Sequence, residues 1–68
     1  MSINNSTYSF VVMFNGLHEG DSLRTIHSRV PTWSHKGWVT YTVVKPYKKL
    51  YDVTLTEIGE TMLEFSEL

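Results

Sequence analysis

The chain has 68 residues and no cysteine, so it is long enough for one small domain and cannot be stabilised by disulfide bonds. Its hydrophobic fraction of 41% excludes intrinsic disorder, and its longest apolar run, Phe10 to Phe14, is too short to span a membrane. No Lys or Arg precedes Arg24, so a secretory signal would lack its basic segment. We therefore expect a cytoplasmic protein without a membrane partner.

The formal net charge of −1 conceals a separation of charge along the chain. All 6 Lys and Arg residues lie between Arg24 and Lys49, whereas no Asp or Glu lies between Ser22 and Tyr51. Such a basic segment makes a positive surface even on a nearly neutral protein. Positive surfaces attract phosphate, and this attraction supplies most of the non-specific energy of nucleic-acid binding. The alternative is that charges cluster by chance in a short chain.

The N-terminal part begins with a mostly polar segment, residues 1–6, which we expect to be disordered. Two patterns compete in the segment from Tyr8 to Leu17. Its β-branched and aromatic residues favour a strand. Phe10 and Phe14, however, recur with Leu17 at the spacing of one helical face. We favour a helix, and a small α+β domain with a strand here is the alternative.

A second helix is predicted after the turn formed by residues 18–21. Leu23, Ile26 and Val30 recur at helical spacing, and Asp21 or Ser22 can cap the N-terminus. The sequence therefore predicts a helix that ends near residues 28–29.

Pro31 prevents this helix from continuing, because proline inside a helix removes a hydrogen bond and costs about 3 kcal/mol. Proline is favoured in the first turn, so Pro31 is predicted to begin a short third helix. Lys36 and Gly37 close that helix, since glycine suits the left-handed residue beyond a helix end. Trp33 and Trp38, on either side of this ending, are expected in the core.

A hairpin and a final helix complete the chain. Residues 38–44 and 51–55 alternate between apolar and polar side chains, which predicts two antiparallel strands joined by a lysine-rich turn. Thr56 caps a helix over residues 57–66. Gly59 lowers the stability of this helix by about 1 kcal/mol, which predicts the close approach of another backbone. The apolar stripe of this helix consists of Ile58, Met62 and Phe65, and Leu63 widens it. We expect this stripe to pack mostly on the domain itself.

This order of elements resembles the winged helix-turn-helix domain. Trp33–Val39 is similar to the stretch that joins the recognition helix to the first wing strand in MarR and PadR regulators. Tyr51–Leu63 resembles their second wing strand and the start of their final helix, and Leu17–Ile26 resembles the junction of their first two helices. The resemblance implies an α+β fold: a single small winged helix-turn-helix domain over residues 1–68, with two to three helices, a two-stranded antiparallel wing and a C-terminal helix.

The resemblance also implies a function. Small winged-helix proteins of the phage or plasmid type bind double-stranded DNA as transcriptional regulators or architectural factors. The wing would contact phosphates, and the short recognition helix would face the major groove. The alternative for these positions is an ordinary solvated surface, in which lysines keep a hairpin edge from aggregating. The candidate nucleic-acid-binding residues are Arg24, Arg29, Thr32, Ser34, His35, Lys36, Lys45, Tyr47, Lys48 and Lys49.

Other classes of function find less support. His18, His27 and His35 do not follow a metal-ligand spacing. No Gly-rich phosphate loop or Ser-His-acid pattern is present, so we expect no catalytic residue, no metal and no cofactor. The main alternative is a non-enzymatic protein-interaction module on the same scaffold, such as a phage-encoded modulator of host RNA polymerase. The short third helix, the nearly neutral total charge and the acidic C-terminal part favour it. The C-terminal helix is also a candidate homodimer interface.

Overall fold

The computed structural model describes residues 5–66, which form three helices and one three-stranded antiparallel sheet. The protein is thus a small α+β domain. None of its three helices has the length and apolar character of a membrane span. Of the residues expected to be disordered, 1–4 lie outside the described range, and Asn5 and Ser6 are the first residues of α1. The elements are α1 (Asn5–Phe14), β1 (Ser22–Thr25), α2 (Val30–His35), β2 (Val39–Val43), β3 (Tyr51–Leu55) and α3 (Glu57–Phe65).

Strand β1 occupies the segment predicted as a second helix, so that prediction is wrong. It pairs antiparallel with β3 and places Leu23 opposite Val53. The helical spacing of Leu23, Ile26 and Val30 is misleading, because Ile26 lies in the loop after β1 with 74% of its surface exposed. A third strand completes the sheet, and this tertiary pairing overrides the local pattern.

Local hydrogen bonds hold the loop between β1 and α2. The His27 backbone N–H donates to Oγ1 of Thr25 (3.1 Å), and the Arg29 N–H donates to Nδ1 of His27 (3.1 Å). The His27 ring packs against Trp33, with 5.0 Å between the ring centroids. Because Nδ1 accepts, the proton of the neutral ring lies on Nε2. His27 is therefore a structural residue of this loop.

Helix α2 is the short helix predicted around proline. It begins at Val30 and holds Pro31 in its first turn, where a missing N–H costs nothing. It ends in a Schellman motif, in which the Trp38 N–H donates to the Trp33 carbonyl (3.1 Å). Gly37 has a φ of 85° at this end, a conformation that favours glycine. The prediction for both ends of this helix is confirmed to within one residue.

The sheet has β3 at its centre, in the order β1-β3-β2. Since β1 and β2 both run antiparallel to β3, they are parallel to each other, and α2 connects them across one face. The predicted hairpin of β2 and β3 is confirmed. The covered face carries Leu23, Val39, Tyr41, Val53 and Leu55. The open face carries only polar side chains, namely Ser22, Arg24, Thr40, Thr42, Asp52 and Thr54.

Four aromatic rings form the centre of the core. Phe10 and Phe14 lie one turn apart on α1, with 5.0 Å between their centroids, which confirms the helix and rules out the alternative strand. The centroid of Phe10 is 5.6 Å from that of Trp33 and 4.7 Å from that of Trp38. All four residues are buried, as expected for the two tryptophans. Their edge-to-face and tilted contacts join α1, α2 and the start of β2.

Helix α3 begins directly against the turn between α2 and β2. Thr56 caps it, because its Oγ1 accepts the N–H of Gly59 at 3.0 Å. The same hydroxyl lies 2.8 Å from the Trp38 carbonyl oxygen, to which the Thr56 N–H also donates at 3.0 Å. A Cβ at Gly59 would collide with the Trp38 carbonyl oxygen and lie 2.6 Å from Cδ1 of Leu55. The predicted close approach of another backbone is confirmed.

The contact at Gly59 predicts that Gly59→Ala lowers the free energy of unfolding by about 2 kcal/mol, because α3 must move away from Trp38. This net loss already includes the gain of about 1 kcal/mol that alanine brings to a helix interior. Urea denaturation followed by circular dichroism measures the difference. The exposed Glu64→Ala in the same helix serves as the control and is expected to change stability by less than about 0.5 kcal/mol. A Gly59→Ala protein as stable as the parent would contradict the steric argument.

Candidate nucleic-acid interface

The loop between β2 and β3 carries four of the ten candidate residues. Its ends are closed by a hydrogen bond from the Val44 N–H to the Leu50 carbonyl at 2.8 Å. The loop therefore projects as the tip of a paired hairpin. Tyr47 is 66% exposed. We call its four exposed candidates the hairpin-loop cluster: Lys45, Tyr47, Lys48 and Lys49.

Helix α2 and its C-cap carry four further candidates. Thr32 and His35 are exposed, as is Lys36 at the C-cap, whereas Ser34 is half-buried. The Nζ atom of Lys36 lies 5.4 Å from the centroid of the Trp38 ring, within the range of a cation–π interaction. With six residues the helix is only about 9 Å long. It can therefore offer few side chains to one groove.

The direction of the strands decides which candidates lie together. Strand β1 runs toward the hairpin loop, since Thr25 is paired with Tyr51, and α2 then returns toward the start of β2. Arg29, the exposed N-cap of α2, therefore lies toward the hairpin-loop end of the molecule, and Lys36 lies toward the other end. The hairpin-loop cluster and the exposed residues of α2 are thus two separate groups.

Arg24 does not share a helical face with Arg29, because Arg24 belongs to β1. It is exposed on the open face of the sheet, opposite Asp52, whereas α2 packs on the covered face. The sheet consequently separates Arg24 from the candidates on α2. Arg24 and the candidates on α2 therefore do not form one surface.

The lysines and arginines have no carboxylate partner within the described part of the chain. Among residues 5–66, none of the Lys and Arg side chains lies within ion-pairing distance of an Asp or Glu. The carboxylates of α3 therefore do not neutralise the hairpin-loop cluster. Exposed and unpaired ammonium groups are the kind of charge that binds phosphate oxygens.

An acidic site that the sequence did not reveal lies where the loop after α1 meets α3. Nδ1 of His18 is 2.9 Å from Oε2 of Glu60, and the Glu19 backbone N–H donates to Oε1 of Glu60 at 3.2 Å. The hydrogen bond to Glu60, and then its charge, raise the pKa of His18. The hydrogen bond from His18, and then that from the Glu19 N–H, lower the pKa of Glu60. No local pattern could indicate a contact between residues 42 positions apart.

A cleft of about 340 Å³ adjoins this ion pair, between the end of α1 and α3. Its walls combine apolar side chains, such as Val11 and Leu63, with the carboxylates of Glu60 and Glu64. No Lys or Arg lines it. The cleft therefore does not extend the positive surface of the hairpin loop.

Comparison with known proteins gives no relative: the chain matches no protein-family model, no curated protein and no solved structure.

The His18–Glu60 pair predicts a pH window of stability. Because the pKa of His18 is raised, its protonated ring stabilises the folded protein fully below the ordinary histidine pKa of about 6.5. This stabilisation is lost as the pH rises through the pKa that His18 has in the folded protein. Because the pKa of Glu60 is lowered, its carboxylate stabilises the folded protein fully above the ordinary glutamate pKa of about 4.3. This stabilisation is lost as the pH falls through the pKa that Glu60 has in the folded protein. The pair therefore stabilises most between these two values.

Replacing Glu60→Gln should remove this optimum, so the difference in melting temperature from the parent will be largest between about pH 4.3 and 6.5. Thermal melts across the pH range test this expectation. Glu57→Gln, an exposed carboxylate at the start of the same helix, is the matched control for charge. A parallel shift of the melting curve at every pH would exclude the ion pair as the cause.

Proposed function

We propose that this chain is a non-enzymatic protein that binds double-stranded DNA, with the hairpin-loop cluster as its principal contact. One observation supports this most. Lys45, Lys48 and Lys49 are exposed at the tip of one hairpin, and no described carboxylate pairs with them. Their charge is therefore available to backbone phosphates, which are the main source of non-specific affinity for a duplex.

Tyr47 supports the same proposal, because its ring stands exposed among the lysines. A tyrosine there can pack against a sugar or a base and donate its hydroxyl to a phosphate. Arg29 and the exposed side of α2 form a second, weaker contact in this proposal. Arg24 lies on the other face of the sheet and is not part of it.

The order α2, hairpin, α3 is compatible with a winged helix in which the hairpin is the wing. The segment before α2, however, is a strand and a loop, so a helix-turn-helix pair is not formed within residues 5–66. Helix α2 is only about 9 Å long, and its Lys36 lies over Trp38. Phosphate contacts position a protein without specifying sequence. We therefore favour an architectural role over that of a sequence-specific transcriptional regulator.

The proposal predicts the salt dependence of binding. Each lysine that neutralises a phosphate contributes about 0.9 to the slope of log affinity against log salt. Changing Lys45, Lys48 and Lys49 together to Ala should lower that slope by about 2.7 and weaken binding to every duplex alike. Fluorescence anisotropy with a labelled random duplex at several salt concentrations gives both quantities.

The matched control replaces the same three lysines by Arg, which keeps the charge and should keep the salt slope. Melting curves of both variants show whether the fold is intact. An alanine variant that is folded and binds with unchanged affinity and slope would exclude the hairpin loop as the contact.

The short α2 predicts little dependence on DNA sequence. Unrelated duplexes of equal length should differ in affinity by less than about tenfold, whereas specific sites usually exceed non-specific ones by about 10³ or more. Competition by a panel of duplexes measures this ratio. Enrichment of one motif from a random library, abolished by Thr32→Ala or His35→Ala, would show instead that α2 reads bases.

A further inference from the structure

Helix α3 has an apolar stripe that nothing in the described chain covers. Ile58 is 57% exposed and Phe65 is 84% exposed. The two residues are seven positions apart and therefore lie on the same side of the helix, with the half-buried Met62 between them. The prediction that this stripe packs mainly on the domain is wrong for Ile58 and Phe65, while Met62 and Leu63 pack against the core.

Carboxylates border this stripe. Glu57 and Glu64 each directly precede a stripe residue, so they lie about 100° around the helix from it, and both are exposed. Neither has an ion-pair partner among residues 5–66, in contrast to Glu60, which is bound to His18. The helix contains no Lys, Arg or His. The outer surface of α3 is therefore an apolar strip with free negative charge along one edge.

The charge of this surface limits what can cover it. Nucleic acid is repelled, because its phosphates carry the same sign as Glu57 and Glu64. A second copy paired through α3 would bring two such acidic helices together without a compensating cation, which is unfavourable. The complementary surface is an amphipathic helix that carries Lys or Arg beside its apolar face.

We infer that the outer side of α3 is a docking surface for a basic amphipathic helix of another protein. Ile58 and Phe65 contact the apolar face of that helix, and Glu57 and Glu64 pair with its cations. This surface is distinct from the hairpin-loop cluster, and the inference does not depend on the DNA-binding proposal. If both hold, the chain can connect a duplex to a basic protein.

The test uses the full chain and two synthetic helical peptides. Each peptide is about five turns long and has a leucine stripe, and its flanking positions carry Lys in one peptide and Glu in the other. Amide NMR titration of the isotope-labelled chain shows the site of binding, and anisotropy of a dye-labelled peptide gives its affinity. We expect the lysine peptide to shift amides of residues 57–66 and to bind at least about tenfold more tightly than the glutamate peptide.

Phe65→Ser should weaken binding of the lysine peptide by about tenfold or more, because it removes the most exposed apolar anchor. Ile26→Ser is the matched control, since Ile26 is 74% exposed but lies in the loop after β1. Changing Glu57 and Glu64 together to Gln should remove the preference for the lysine peptide over the glutamate peptide. It should also remove most of the salt dependence of the affinity for the lysine peptide.

Three outcomes would overturn the inference. The first is the absence of peptide-induced shifts in α3. The second is equal affinity for the two peptides, or for the parent and Phe65→Ser. The third is a dimer in sedimentation experiments that Phe65→Ser dissociates, which would identify a second copy as the occupant.

Discussion

The carbonyl group of Trp38 holds the parts of this small domain together. Its oxygen accepts a hydrogen bond from the backbone N–H of Thr56 and shares the Thr56 hydroxyl proton with the carbonyl oxygen of Gly37. It also lies where any side chain larger than hydrogen at Gly59 would stand. The indole of the same residue packs against Phe10 of α1. One residue at the end of α2 therefore positions the first helix, the start of the sheet and the last helix. A chain without disulfides and with few core residues depends strongly on such a shared contact.

This arrangement places opposite charges on different elements. The hairpin loop extends from the ends of β2 and β3 that lie away from Trp38, and it carries three free lysines. Helix α3 starts at the Trp38 end and carries three of the seven acidic residues, of which Glu60 binds His18. A near-neutral protein can in this way present one surface to phosphate and another to a basic partner. Total charge alone would conceal both properties.

The sequence predicted those elements whose signals are local. The hairpin followed from alternation, α2 from Pro31 and Gly37, and the close contact of α3 from a glycine in an amphipathic helix. Helix caps and tight turns depend on residues only a few positions apart, so they can be predicted from a single sequence.

Non-local pairing was not predictable in the same way. Strand β1 has only four residues, and its apolar spacing together with Ile26 imitates a helix. What makes it a strand is β3, about thirty positions further along the chain. The exposure of Ile58 and Phe65 was missed for a related reason: helical periodicity shows which residues share a face, but not whether a small domain has enough surface to cover it. The candidate cations were identified, but their division between the two faces of the sheet depends on β1.

The central position of β3 has a consequence for synthesis on the ribosome. Both neighbouring strands pair only with β3 within the described sheet, and β3 is the last strand to be translated. A nascent chain that has not reached Tyr51 therefore has no strand partner for β1 or β2, and the edge of each strand that pairs with β3 stays open. Pairing β1 with β3 closes a long loop, which costs chain entropy. The chain meets this cost before the contact between Leu23 and Val53 compensates for it. Folding of this sheet is consequently deferred until β3 has been synthesised, and a pause upstream of Tyr51 prolongs the interval in which the chain is open to aggregation.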